Sequence, residues 1–348
     1  MSQLYAKIIA ASCFIWVIGA STGTANVCPR TSSGAVDLQQ FVGSGNRDNN
    51  CDYTPDGMRI KLYKILLCSQ LPSLSNYETL CKPLVDFSSG KNIDITADGT
   101  SPIIDGPVTL TEGLYTHAVI LIENRIGSKF TETFSHPIQG NNAVGTTCWS
   151  NGNDAKISYE SAALGPGDYR KFSASCGTAS EANPQWSYYT YKGLWNPLNP
   201  GNWNPQDATK DFFVNSVPYL TYTGSGKDVH LLSDYSTLAS ITSGAAGRNR
   251  DDENGITSNA SYLMGVTKFT TAANINANTR NIDLGFKLKD TFFQKITTNN
   301  NYYNLYTNQQ CSNQHAVMDI NNASPITGAH ACLSTSYATT FDFKFEVQ

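Results

Sequence analysis

The stretch Ile282-Asp283-Leu284-Gly285-Phe286-Lys287-Leu288-Lys289 puts an apolar residue at every second position. The C-terminal run Phe341-Asp342-Phe343-Lys344-Phe345-Glu346-Val347 does the same. Successive side chains of a strand point to opposite faces, so this alternation marks strands with one face buried and one wet. Met58, Ile60 and Leu62 alternate with Arg59 and Lys61 before the apolar run Ile65–Leu67, and Tyr115, His117, Val119 and Leu121 share one face of another strand. Turn dipeptides Asp56-Gly57, Asp98-Gly99, Asp105-Gly106 and Asn254-Gly255 punctuate these runs. No stretch of helical length has a convincing 3.6-residue period. The pattern predicts an all-β protein, an antiparallel β-sandwich of one or two units with long loops.

Outward from these strands, the chain begins with Lys7 and the uncharged run Ile8–Ala20, followed by Gly23 and Ala25. This reads as a cleaved signal peptide over 1–25, with small residues at the −3 and −1 positions. The apolar run is about 13 residues, short of the roughly 20 that span a bilayer, so the reading includes no transmembrane anchor after cleavage. A soluble, secreted or cell-surface protein is expected. Charged residues make up only 15% of the chain, and the net charge is −4, or −5 without Lys7. That balance argues against nucleic acid as a partner.

Nine cysteines less Cys13, which leaves with the signal, give an even eight, the count expected of disulfides in an oxidising compartment. Eight cysteines allow on the order of a hundred connectivities. The close spacing of sequential neighbours predicts Cys28–Cys51, Cys68–Cys81, Cys148–Cys176 and Cys311–Cys332. The alternative, a metal site, lacks any CxxC pair or Cys/His cluster. The Gly- and Asn-rich segment around 140–145 divides the cysteines evenly, which suggests units at 26–143 and 144–348. One long sandwich with local bridges would show the same division.

Cys51-Asp52-Tyr53-Thr54-Pro55-Asp56-Gly57, Leu62-Tyr63-Lys64-Ile65 and Leu67-Cys68 resemble a motif of uncharacterised secreted proteins of marine, Pelagibacter-like bacteria. Glu112-Gly113-Leu114-Tyr115-Thr116-His117, Thr131-Glu132-Thr133-Phe134 and Gly145-Thr146-Thr147-Cys148-Trp149 add to that resemblance, which lies within about residues 51–150. It implies no activity. The Gly-x-Tyr-Thr element also resembles pilin-type and transthyretin-like sandwiches, an analogy of fold alone.

The chain carries no Gly-x-Ser-x-Gly, HExxH or Walker sequence, and reads as a non-enzyme without a cofactor. Dispersed glycosidase carboxylates leave no short signature, so a secreted glycan hydrolase stands as the last alternative. His117 shares its face with apolar residues and is expected to be a hydrogen-bonded histidine in or beside the core. His136, His230, His315 and His330 lack ligand spacing. Asp251-Asp252-Glu253-Asn254-Gly255 reads as a solvated acidic turn, with Ca2+ as the alternative; Asp48, Asp52 and Asp56 are read in the same way.

The segment 186–203 holds Trp186, Tyr188, Tyr189, Tyr191, Trp195 and Trp203 among Asn, Pro and Gly. Such rings can plug an open end of the core, anchor a protein interface, or stack on sugar rings. Tyr302, Tyr303 and Tyr306 form a second aromatic group suited to contact. The tail residues Phe341, Phe343, Phe345 and Val347 can close their own sandwich or pair with a neighbouring subunit, with roughly 16 residues beyond Cys332 for reach. The sequence therefore predicts an exported structural or interaction protein, a pilus-like filament subunit or adhesin, acting by self-association or on other surface proteins. A carbohydrate-binding surface protein that takes a polysaccharide is the alternative.

Overall fold

The computed structural model describes residues 27–41, 49–96, 108, 110–140, 144–153, 155–157, 174–191, 227–237, 241–243, 256–279, 282–286, 288–290, 292–297, 332–338 and 343–347. The first strands are β1 (Asn49–Tyr53), β2 (Gly57–Cys68), β3 (Cys81–Thr96), β4 (Gly113–Glu123), β5 (Ile126–Lys129) and β6 (Thr131–Gln139). Next come β7 (Val144–Ser150), β8 (Ala155–Ile157), β9 (Ala174–Gly177), β10 (Ser187–Tyr191), β11 (Lys227–Leu232) and β12 (Ile241–Ser243). The chain closes with β13 (Ile256–Ser258), β14 (Tyr262–Ile275), β15 (Ile282–Phe286), β16 (Phe292–Thr297), β17 (Cys332–Ala338) and β18 (Phe343–Val347). One helical turn, α1 (Tyr77–Leu80), lies between β2 and β3.

Two sheets face each other across the main core. The smaller runs β1-β16-β17-β6-β7-β9. The larger is organised around β2, which pairs antiparallel with β3 on one edge and with β4 and then β5 on the other. β4 and β5 are one extended path interrupted at Asn124-Arg125. Their far edge is taken by β14 and β10, and these carry β11 and β8 in turn. Met58, Ile60 and Leu62 of β2 and Ala118, Ile120 and Ile122 of β4 meet Tyr53, Phe134 and Phe292 of the smaller sheet in one buried cluster. Tyr53 stands edge-on to Phe130 and Phe292, with ring centres 5.5 and 6.1 Å apart. This is the expected all-β, predominantly antiparallel sandwich.

The alternation in β2 breaks where its register shifts between Leu62 and Lys64. One extra residue exchanges the two faces of a strand, so Ile65 and Leu67 join the main core while Leu66 and Cys68 face outward. There they enter a second cluster with Leu74, Tyr77, Val119, Leu121, Met264 and Val266. The segment 69–80, which contains α1, caps this outer cluster and is closed at its base by Cys68–Cys81, a registered cross-strand pair. The apolar run Ile65–Leu67 is thus a strand covered on both faces.

Cys28–Cys51 and Cys148–Cys176 are also formed. Cys311 lies outside the described residues, and with it the fourth pairing. The division at 143/144 falls in the β6–β7 hairpin, and both sheets take strands from each side of it. The halves are therefore interleaved rather than separate sheets.

Both ends of the described chain pair with their own molecule. The Val36 amide donates to the Thr133 carbonyl at 2.8 Å, and the Ser135 amide donates to the Val36 carbonyl at 2.9 Å. Arg30 forks both carboxylate oxygens of Glu132 at 2.7 and 2.9 Å. At the other end, Phe343, Phe345 and Val347 of β18 are registered against Phe286, Leu284 and Ile282 of β15. Phe341 lies outside the described residues.

Candidate functional site: an aromatic and cationic strip

The outer face of the large sheet is capped at one end by 69–80. At the other end it carries a row of rings and cations. Because Met58, Ile60 and Leu62 point into the core, Arg59, Lys61 and Tyr63 point away from it. Trp186, just before β10, and Tyr188 within it reach the same face, and Ser187 between them is fully buried. The Arg59 guanidinium carbon lies 4.4 Å from the centre of the Trp186 ring, and Arg125, presented by the break between β4 and β5, lies 3.7 Å from that of Tyr188. Asn124 fixes this break: its amide donates to the Ser261 carbonyl at 2.8 Å, and its side-chain Nδ2 donates to the Ala260 carbonyl at 3.1 Å.

Glycines form the floor of the strip. A Cβ on Gly57 would stand 3.1 Å from the tip of the Trp186 ring, and one on Gly127 would stand 3.1 Å from Tyr188 and 3.3 Å from Trp186. Without side chains there, the indole can lie down against β2 and β5. Further along, Gly90 adopts a left-handed φ of +69° in the bulge of β3, and its missing side chain leaves room for Lys61 and Tyr63.

Each β2 cation has a carboxylate partner. Arg59 donates from Nε and Nη2 to the two oxygens of Asp94 at 2.6 and 2.7 Å, and from Nη1 to the Tyr188 hydroxyl at 3.4 Å. The Asp94 carboxylate raises the Arg59 pKa further, so the guanidinium stays charged. Lys61 Nζ lies 3.9 Å from Glu123, and Lys64 Nζ lies 2.5 Å from Glu78. Lys61 and Lys64 also sit over the rings of Tyr63 and Tyr235, at 5.4 and 5.1 Å. Tyr63, Tyr235 and Tyr262 touch one another, with ring centres 4.9 to 5.9 Å apart. Burial first, then Tyr262, pushes the Tyr235 hydroxyl up to about 12. The Tyr77 hydroxyl donates to the Tyr235 carbonyl at 2.5 Å and ties the strip to the cap.

Of the aromatic residues singled out in 186–203, Trp186 and Tyr188 belong to the strip. Tyr189 and Tyr191 occupy the alternate positions of β10, registered against Ala155 and Ile157 of β8. Trp195, Trp203, Tyr302, Tyr303, Tyr306 and the acidic block 251–255 lie outside the described residues. His117 is buried, and its Nδ1 shares a hydrogen bond with the Thr116 hydroxyl at 2.8 Å. Burial and, secondarily, the charge of Lys268 lower its pKa. Among the described residues no group of three or more His, Cys, Asp or Glu side chains is arranged to hold a metal ion. The sequence reading missed Arg59, Lys61 and Arg125 as members of an aromatic site. Their signal was the outward phase of β2 combined with glycines at 57 and 127.

The fold and the strip define a class: a disulfide-stapled β-sandwich with a patterned, partly exposed sheet face. No protein-family model, curated protein or solved structure matches the chain. Among the described residues no helix is long and apolar enough to cross a membrane.

Proposed function

We propose that this is an exported interaction protein of the cell surface, of the adhesin type, whose contact surface is the strip around Trp186. The observation that carries the reading is the Trp186–Arg59–Tyr188–Arg125 row on a glycine floor. Trp, Tyr and Arg side chains are the types that anchor interfaces; here Arg59, Trp186 and Tyr188 are half-buried and Arg125 is exposed, and the ring-cation contacts hold them in place before a partner arrives. Three disulfides fit an oxidising compartment, and the signal-like residues 1–25 supply the route of export. The filament reading by strand exchange stands beside it, since β18 would take the same place against β15 of a neighbouring subunit.

The test is surface biotinylation of intact cells producing the full chain, followed by peptide mapping without reduction. The reading expects labelled protein that begins at or near Asn26 and has oxidised cysteines. A chain retained in the cytoplasm with free thiols would overturn it. Negative-stain images that show regular fibres of the purified protein would favour the filament alternative.

A further inference from the structure

The charges of the strip narrow what it can hold. Arg59, Lys61 and Lys64 each have a carboxylate beside them, from Asp94, Glu123 and Glu78 respectively. An anionic partner would have to displace these carboxylates to reach three of the strip's four cations; the fourth, Arg125, is stacked on Tyr188 at 3.7 Å. An apolar protein segment would strip water from three ion pairs and return no hydrogen bonds, which is costly. An uncharged, hydroxyl-rich chain avoids both penalties. Its hydroxyls can donate to Asp94 and Glu123 and accept from Arg59 and Lys61, while its C–H faces lie on the stacked Arg59–Trp186 and Arg125–Tyr188 pairs.

We infer that the strip binds an uncharged polysaccharide. From Gly57 to Tyr63 it runs about 20 Å along β2 at about 3.3 Å per residue, long enough for several sugar units. The ligand lies along β2, with Trp186 and Tyr188 at one end and Tyr63 at the other. The glycine floor keeps the Trp186 ring low, so that a flat, extended chain can cross it. This assignment rests on the proposal that the strip is the contact surface, and it names the partner's chemistry.

The experiment is a retention assay of the full exported chain on cellulose, chitin, β-1,3-glucan and mannan, with alginate as an acidic comparison, at low and high salt. The expected result is retention on at least one neutral polymer that changes by no more than about twofold as salt screens the charges. Trp186→Ala and Tyr188→Ala each weaken retention by about fivefold to tenfold. Leu114→Ala, at a site 58% exposed on β4, leaves it unchanged. Thermal melting separates lost binding from lost folding, and Asp94→Asn, which spares every ring, gives a second reading if Trp186→Ala unfolds. Failure to bind any neutral polymer would overturn the inference. So would binding to alginate alone that falls steeply with salt, or retention indifferent to Trp186, Tyr188 and Asp94. Surface labelling is read separately, so a surface-exposed chain that ignores neutral polymers refutes this inference and leaves the export proposal standing.

Discussion

Arg59 stacks on Trp186 at 4.4 Å while two of its nitrogens fork Asp94, so one guanidinium joins β10 to β3 across β2 and β5. Arg59→Ala removes the stack and the fork together. The ion pair is half exposed and contributes little, so most of the loss, about 1–2 kcal/mol in all, comes from the ring contact and buried stem. Urea denaturation checks the magnitude. Arg59→Lys should restore only part of it, since an ammonium cannot fork a carboxylate in the plane of a guanidinium.

Gly127→Val tests the glycine floor. A Cβ there meets Arg59 Cβ at 3.0 Å and Tyr188 at 3.1 Å, before the valine methyl groups are counted. The variant should lose about 1–3 kcal/mol, the usual penalty of overpacking, and should shift tryptophan fluorescence toward that of an exposed indole. An unchanged emission spectrum would show that Trp186 does not rest on this position.

The bridges should be unequal in their local consequences. Cys148→Ala with Cys176→Ala cuts a staple inside the smaller sheet and should cost about 2–4 kcal/mol of global stability. Cys68→Ala with Cys81→Ala should instead speed hydrogen exchange in 69–80 more than in β6 or β7, because that bridge closes the base of the cap. Exchange mapped by mass spectrometry distinguishes the two patterns.

Acid should find His117. Its folded pKa lies below the ordinary 6.5, chiefly because burial disfavours the charged ring. The unfolded chain therefore takes up the proton first as pH falls. The stability tied to the neutral ring is present above 6.5 and is lost as pH falls through the lower, folded pKa. His117→Gln should flatten that part of the stability profile. An equally steep acid limb in the variant would assign it to other groups.

Strands were legible wherever one face is wet. The alternation at 282–286 and 343–347 depends only on neighbours in sequence, and these two strands pair with each other. The three local disulfides were legible for the same reason. The strip was half legible: Trp186 and Tyr188 stood out by composition, but their neighbours are set by register, which brings Gly57 of β2 and Gly127 of β5 against the start of β10. The phase change at Leu62–Lys64 was hidden because a bulge is a property of the pairing. The sequence left open whether the 143/144 division separates two units or lies within one sandwich, because strand pairing across it, as between β6 and β7, has no signature in a single sequence.

The pairing of β1 with β16 has a consequence for how the chain comes into being. Asn49–Tyr53 are registered against Phe292–Ile296, and the Thr54 hydroxyl meets Asp290 across 236 positions of sequence. The edge of the smaller sheet cannot be laid down until most of the polypeptide exists. Closing so long a loop delays the gain from non-local contacts and slows folding. The early strands of a chain made N-terminus first thus wait for their mates. The close-set cysteine pairs can oxidise before the sandwich shuts, leaving covalent clips in place when the last strands arrive.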